Sequence, residues 1–108
     1  MSFTINIYYK GNNGSAKKFA NEMISSGIVE EIRSKEGNLR YEYFKPLEDE
    51  ETILLIDSWK DQESLDAHHK SKTMEKIIEL RNKYDLHMKI EKYILDDSNS
   101  NDEKYIRK

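Results

Sequence analysis

The chain contains no cysteine, one proline and only four glycines in 108 residues. Without thiols there are no disulfides, no thiolate metal sites and no cysteine nucleophile. No apolar run approaches the roughly twenty residues that span a bilayer, so no membrane association is expected. Met1-Ser2-Phe3-Thr4 leads directly into a strand pattern without a charged-then-apolar leader, and a cytoplasmic location is expected. A basic stripe is also missing. The 18 basic and 21 acidic residues give a net charge of -3 spread along the chain, which offers a phosphate backbone no electrostatic footprint, so nucleic acid is not an expected partner. Gly11-Asn12-Asn13-Gly14 lacks the later glycine and lysine of a phosphate loop. The three histidines form neither HExxH nor HxxxH, and the adjacent His68 and His69 diverge on a helix, so no metal site is expected.

Charge and apolar character are present in equal measure, at 36% of residues each. A domain of this size buries only about two-thirds of its unfolded surface. A small core under a densely charged surface gains from pairing with a second copy.

Along the chain, Phe3, Ile5, Ile7 and Tyr9 alternate with Thr4, Asn6 and Tyr8, which predicts a first strand. Gly11 to Gly14 forms a turn, and Ser15 is placed to cap a helix carrying Ala16, Phe19, Ala20, Met23 and Ile24 at helical spacing. Gly27 then kinks that helix or restarts it, with Ile28 and Ile32 continuing the stripe. Leu39, Tyr41 and Tyr43 alternate in a second strand ending at Phe44. Pro46 and Glu48-Asp49-Glu50-Glu51 turn the chain into a third strand from Thr52 to Trp59, completing an antiparallel hairpin. Asp61 is a cap for a short helix bearing Leu65 and His68, followed by a helix with Met74, Ile77, Ile78 and Arg81. Met88, Ile90, Lys92 and Ile94 define a fourth strand. Residues 1–95 are expected to form the domain. The remainder, 96–108, reads as a polar and mobile C-terminal tail, with Tyr105 and Ile106 available to dock on a partner.

The order β-α-β-β-α-β predicts an α+β, ferredoxin-like fold: a four-stranded antiparallel sheet with helices on one face. Both faces of the expected sheet carry large apolar groups. Phe3, Ile5 and Ile7 stand against Tyr8, and Leu39, Tyr41 and Tyr43 against Phe44. Ile53 and Leu55 likewise stand against Leu54 and Ile56. Helices cover one face only, so a homodimer through the open sheet face is expected.

Few residues can carry chemistry. His68, three residues after Leu65, shares the inward face of its helix and should point at the sheet near Trp59, where an imidazole can exchange hydrogen bonds or protons with a ligand oxygen. The same position suits a structural histidine bonded to a backbone carbonyl. His69, one step round, should face solvent. Asn6 places an amide among apolar and aromatic strand residues, to be satisfied by a ligand carbonyl or by a neighbouring strand. Trp59 at a strand end is a core or lid residue. Tyr8, Tyr41 and Tyr43 suit an aromatic pocket and a dimer interface equally.

Taken in order, Glu36-Gly37-Asn38-Leu39-Arg40-Tyr41-Glu42, then Leu54-Leu55-Ile56-Asp57-Ser58-Trp59, then Leu65-Asp66-Ala67-His68 with Ser71 and Met74, resemble the antibiotic biosynthesis monooxygenase family. The resemblance runs from about Phe3 to Ile94. It implies a dimeric α+β barrel and oxygenation of a small aromatic or quinol molecule by dioxygen, with no cofactor. His68 and Asn6 would be the catalytic residues, and Trp59, Tyr8 and Tyr41 would bind substrate. Haem-degrading members are similar at Asn6 but carry tryptophan at the position of His68 and an axial histidine at that of Ile78, so haem is not expected here. Many members place a second histidine where Lys72 and Thr73 stand. An isomerase of a small carbonyl compound and a non-catalytic dimeric ligand-binding or stress-response domain remain alternative readings.

Overall fold

A computed structural model describes residues 1–96 and 101–107. The strands are β1 (Phe3–Lys10), β2 (Asn38–Phe44), β3 (Thr52–Trp59) and β4 (His87–Ile94). The helices are α1 (Ser15–Ser25), α2 (Ile28–Arg33), α3 (Gln62–His69) and α4 (Lys72–Lys83). All pairings are antiparallel in the order β2-β3-β1-β4. This is the expected α+β, ferredoxin-like arrangement, with each crossover helix divided in two. A 3-10 turn follows at Asn101–Tyr105, with Tyr105 and Ile106 exposed. The stretch 97–100 of the expected polar tail lies outside the described residues.

Alternation along the strands separates two faces. Phe3, Ile5, Ile7 and Tyr9 of β1, with Leu55 and Trp59 of β3, are buried against Phe19, Met23, Ile28, Ile32, Leu65 and Ile77 from the helices. The opposite face carries Thr4, Asn6 and Tyr8 beside Ser58, Ile56 and Leu54. At the edge, β4 turns Met88, Ile90 and Ile94 to the helical side yet leaves them exposed.

Local chemistry explains the breaks. Gly27 has φ 87°, a left-handed conformation that ends α1 and lets α2 restart. Ser15 is not the cap of α1. Gly14 occupies that position, the Glu51 carboxylate from the β2–β3 turn accepts from the Gly14 N–H at 2.9 Å, and Ser15 Oγ instead accepts from Asn12 N–H. Asp61 does cap α3, its Oδ1 accepting from Ser64 N–H at 2.9 Å. Two expected stripe residues, Ile24 and Ile78, face solvent because each lies one step round the helix from the buried Met23 and Ile77. Leu39 is exposed too. The β2–β3 register shifts between Asn38 and Arg40, leaving Leu39 as the extra bulge residue outside the inward row of Tyr41 and Tyr43.

Candidate functional site

A cavity of about 260 Å³ lies between the helical face of the sheet and α3 and α4. Its apolar wall includes Ile5, Ile7, Leu55, Leu65, Met74 and Ile77, and Ile90 and Lys92 of β4 flank the side that reaches solvent. Five groups bring polarity to it: Asp57, Tyr41, His68, Arg81 and Lys92, with His69 at the mouth. Its size suits a ligand below the drug-sized range of about 300–1,000 Å³.

His68 is 4% exposed, and its ring stacks on Trp59 with centroids 5.0 Å apart and planes 24° apart. The inward placement and the tryptophan neighbour are as the helical spacing implied. Its polar partner is not a backbone carbonyl. Lys35 Nζ lies 2.9 Å from His68 Nδ1 and donates to Ser71 Oγ at 2.8 Å, and Ser71 Oγ in turn donates to the His68 carbonyl. An ammonium has no acceptor, so Nδ1 accepts and the ring proton resides on Nε2. Burial, and then the Lys35 charge, lower the imidazole's pKa to about 4, so at neutral pH it is an uncharged hydrogen-bond donor.

Asp57, not among the expected site residues, also lines the cavity. It sits on the inward row of β3 between Leu55 and Trp59, 5% exposed, and burial raises its pKa to about 7. The Trp59 N–H, the Asn38 amide and the Arg81 charge oppose that rise without cancelling it. Asn38 Nδ2 reaches Asp57 Oδ1 at 3.4 Å and the Ser58 carbonyl at 3.3 Å, so the bulge after Gly37 carries an amide to the carboxylate. A charged residue at an inward position of an otherwise apolar strand was the available signal.

Arg81, on the cavity face of α4, donates through Nε and Nη2 to the hydroxyl of the fully buried Tyr9, at 3.2 and 2.9 Å. Tyr41 is buried, and its hydroxyl is pushed well above the ordinary phenol range by burial. Arg33 of α2 donates twice to the Tyr41 carbonyl, holding this edge strand in place.

The expected site residues thus divide. His68 and Tyr41 line the cavity, and Trp59 stands behind His68 as its stacking surface. Asn6 and Tyr8 are on the other face of the sheet, Asn6 between Ile56 and Glu91 and Tyr8 between Leu54 and Lys89. Strand alternation keeps them from His68 within one chain. Among the described residues no three His, Cys, Asp or Glu side chains gather as a metal set, and no helix is long and apolar enough to cross a membrane.

The ordered motifs and this architecture agree with a family match: residues 2–80 fit the model of the antibiotic biosynthesis monooxygenase family. The chain belongs to that family. It is 27% identical over 64 residues to "Putative monooxygenase YcnE" of Bacillus subtilis (strain 168), across 59% of this chain and 65% of that protein. The aligned part therefore spans just under two-thirds of that relative. Among solved structures, the "putative antibiotic biosynthesis monooxygenase" from Deinococcus radiodurans superimposes with a TM-score of 0.76 at 15% identity, over 93% of this chain and 97% of that one. SnoaB, a cofactor-independent oxygenase from Streptomyces nogalater, gives 0.74 at 7% identity over 90% and 95%. At such identities the structural likeness concerns the fold. Family membership and these likenesses together establish an antibiotic biosynthesis monooxygenase domain with that family's fold.

Proposed function

We propose that the protein oxygenates a small aromatic or quinol substrate with dioxygen, without a metal, flavin or haem. One observation carries the reading: a neutral imidazole and a buried carboxylate share a small, mostly apolar cavity. In such chemistry the deprotonated substrate itself supplies electrons to dioxygen. The protein orients the ring, assists proton removal and excludes water. The apolar wall suits a flat ring, Tyr41 and Arg81 suit its oxygen substituents, and Trp59 fixes the His68 plane. Asn6 and Tyr8 take no part in this cavity within one chain. They belong to the sheet face through which we propose that two copies pair.

Oxygen uptake with a panel of quinols and hydroxylated aromatics tests the proposal. His68→Ala should lower kcat/KM on the order of tenfold or more, within the usual range for a proton-transfer or hydrogen-bonding group. Absence of uptake with every substrate counts against the reading. A second reading draws on the same pair, because a carboxylate base beside a neutral, hydrogen-bond-donating imidazole also suits an enediol isomerisation. Product formation from a hydroxycarbonyl compound under strict exclusion of oxygen would identify that case.

A further inference from the structure

A substrate with an acidic hydroxyl must deliver its proton to some group in the cavity. Arg81 and Lys92 are donors only. Tyr41 is itself a phenol, buried and harder to ionise than usual, so its anion is not available as a base. His69 is exposed at the mouth. His68 offers no free lone pair: Nδ1 is engaged by Lys35 at 2.9 Å, and a second ring proton would place an imidazolium against that ammonium. Asp57 remains: the Trp59 N–H lies near it without completing a hydrogen bond, the bond from Asn38 at 3.4 Å is too long to satisfy it, and no ion pair neutralises it among the described residues.

From this arrangement we infer that Asp57 is the catalytic proton acceptor, and that His68, held by Lys35 as the Nε2–H tautomer, is the donor that stabilises the substrate oxyanion. The inference rests on the cavity being the substrate site, as proposed above. In the step, the substrate O–H bond breaks and the proton passes to an Asp57 carboxylate oxygen. The bonding pair stays on the substrate oxygen, which accepts from His68 Nε2–H near the Arg81 charge. One negative charge moves from carboxylate to substrate, and the net charge of the site is unchanged. Lys35 is a positioning residue, acting through His68 Nδ1.

The surroundings of Asp57 agree with that role. Tyr9 of β1, Tyr41, Tyr43 and Asn38 of β2, Trp59 of β3 and Arg81 of α4 face it, and His68 and Lys92 share its cavity. Arg81 is the cation among those whose charge bears on the carboxyl, and its guanidinium is shared with the Tyr9 hydroxyl. With its pKa raised to about 7, the carboxyl is balanced between carboxylate and acid near neutral pH, where a base serves best.

The test uses 3-nitrophenol, which is largely neutral at about pH 7.5 and changes absorbance on ionising. Bound to the wild-type protein it should appear as phenolate, while the Asp57 carboxyl 13C signal moves to its protonated position. Asp57→Asn should bind the probe as neutral phenol, with a phenolate fraction lower on the order of tenfold, and Asp57→Glu should restore part of it. Equal ionisation in wild type and Asp57→Asn, an unmoved Asp57 signal, or no binding to the wild type would overturn the assignment. Oxygen uptake by the same proteins separates the two proposals. Ionisation through Asp57 without uptake on any quinol sinks the oxygenase reading alone, and equal uptake by wild type and Asp57→Asn sinks the role of Asp57 alone.

Discussion

Asp57 occupies an inward strand position between two core residues, Leu55 and Trp59. Its pKa rises from 3.8 to about 7, which corresponds to a cost on the order of 4 kcal/mol for the ionised form in the fold. The sign follows from proton binding: the folded state holds the proton more tightly than the unfolded chain. Stability linked to this group is full below 3.8 and is lost as pH rises toward about 7. Asp57→Asn should therefore be more stable than wild type by roughly 4 kcal/mol at pH 8 and by less than half that at pH 5, measured by urea unfolding. His68 works in the opposite direction. Its pKa is lowered to about 4, so its contribution is present above 6.5 and is lost as pH falls toward 4. Removing the Lys35 charge with Lys35→Met should move the His68 titration, followed by ring-proton NMR, upward toward the ordinary value, though burial, the larger cause, keeps it below. At this scale the sequence revealed the inward His68 and its Trp59 neighbour. It could not reveal Lys35 on His68 Nδ1, because that contact joins residues 33 apart, bringing the segment after α2 onto α3.

Among the elements, the turn into β2 does more than reverse the chain. Gly37 has φ 87°, and a Cβ there would come within 2.5 Å of the Ser64 Cβ and 2.2 Å of its Oγ, so α3 can approach this turn only because the side chain is missing. The Gly37 carbonyl accepts from Lys60 N–H at 2.8 Å, and Asn38 reaches Asp57. Gly37→Ala should cost the roughly 1–2 kcal/mol of left-handed strain plus the displacement of α3. Gly14→Ala, with φ 80° and nothing within 4 Å of the new carbon, should cost the strain alone. The difference between their urea midpoints isolates the clash. Turn residues and strand periods announced this hairpin, but the bulge at Leu39 did not show, since a one-residue insertion in a ladder depends on the partner strand.

For the whole molecule, the open sheet face is the main unfinished surface. Tyr8, Leu54 and Ile56 lie at its centre with Phe44 and Tyr93 at its sides, 38% and 50% exposed, and Arg40, Glu42, Lys89 and Glu91 around them. An apolar strip with a charged rim is the composition of a protein interface. Under the proposed pairing, sedimentation should give twice the chain mass at micromolar concentration. Ile56→Lys should then yield a folded monomer, because it places a charge in the strip while leaving the helical core untouched. A wild-type monomer would end the pairing proposal.

The periods of two and 3.6, the turn residues and the Asp61 cap determined the element order and the buried rows of β1 and β3. These depend on neighbours a few residues apart, and steric and solvation rules act there without reference to the rest of the chain. The site was decided by the tertiary structure. The neutral state of His68, the raised proton affinity of Asp57 and their meeting in one cavity arise from desolvation and from charges brought near by packing, and neither exists until α2, α3, α4 and the sheet have closed around them.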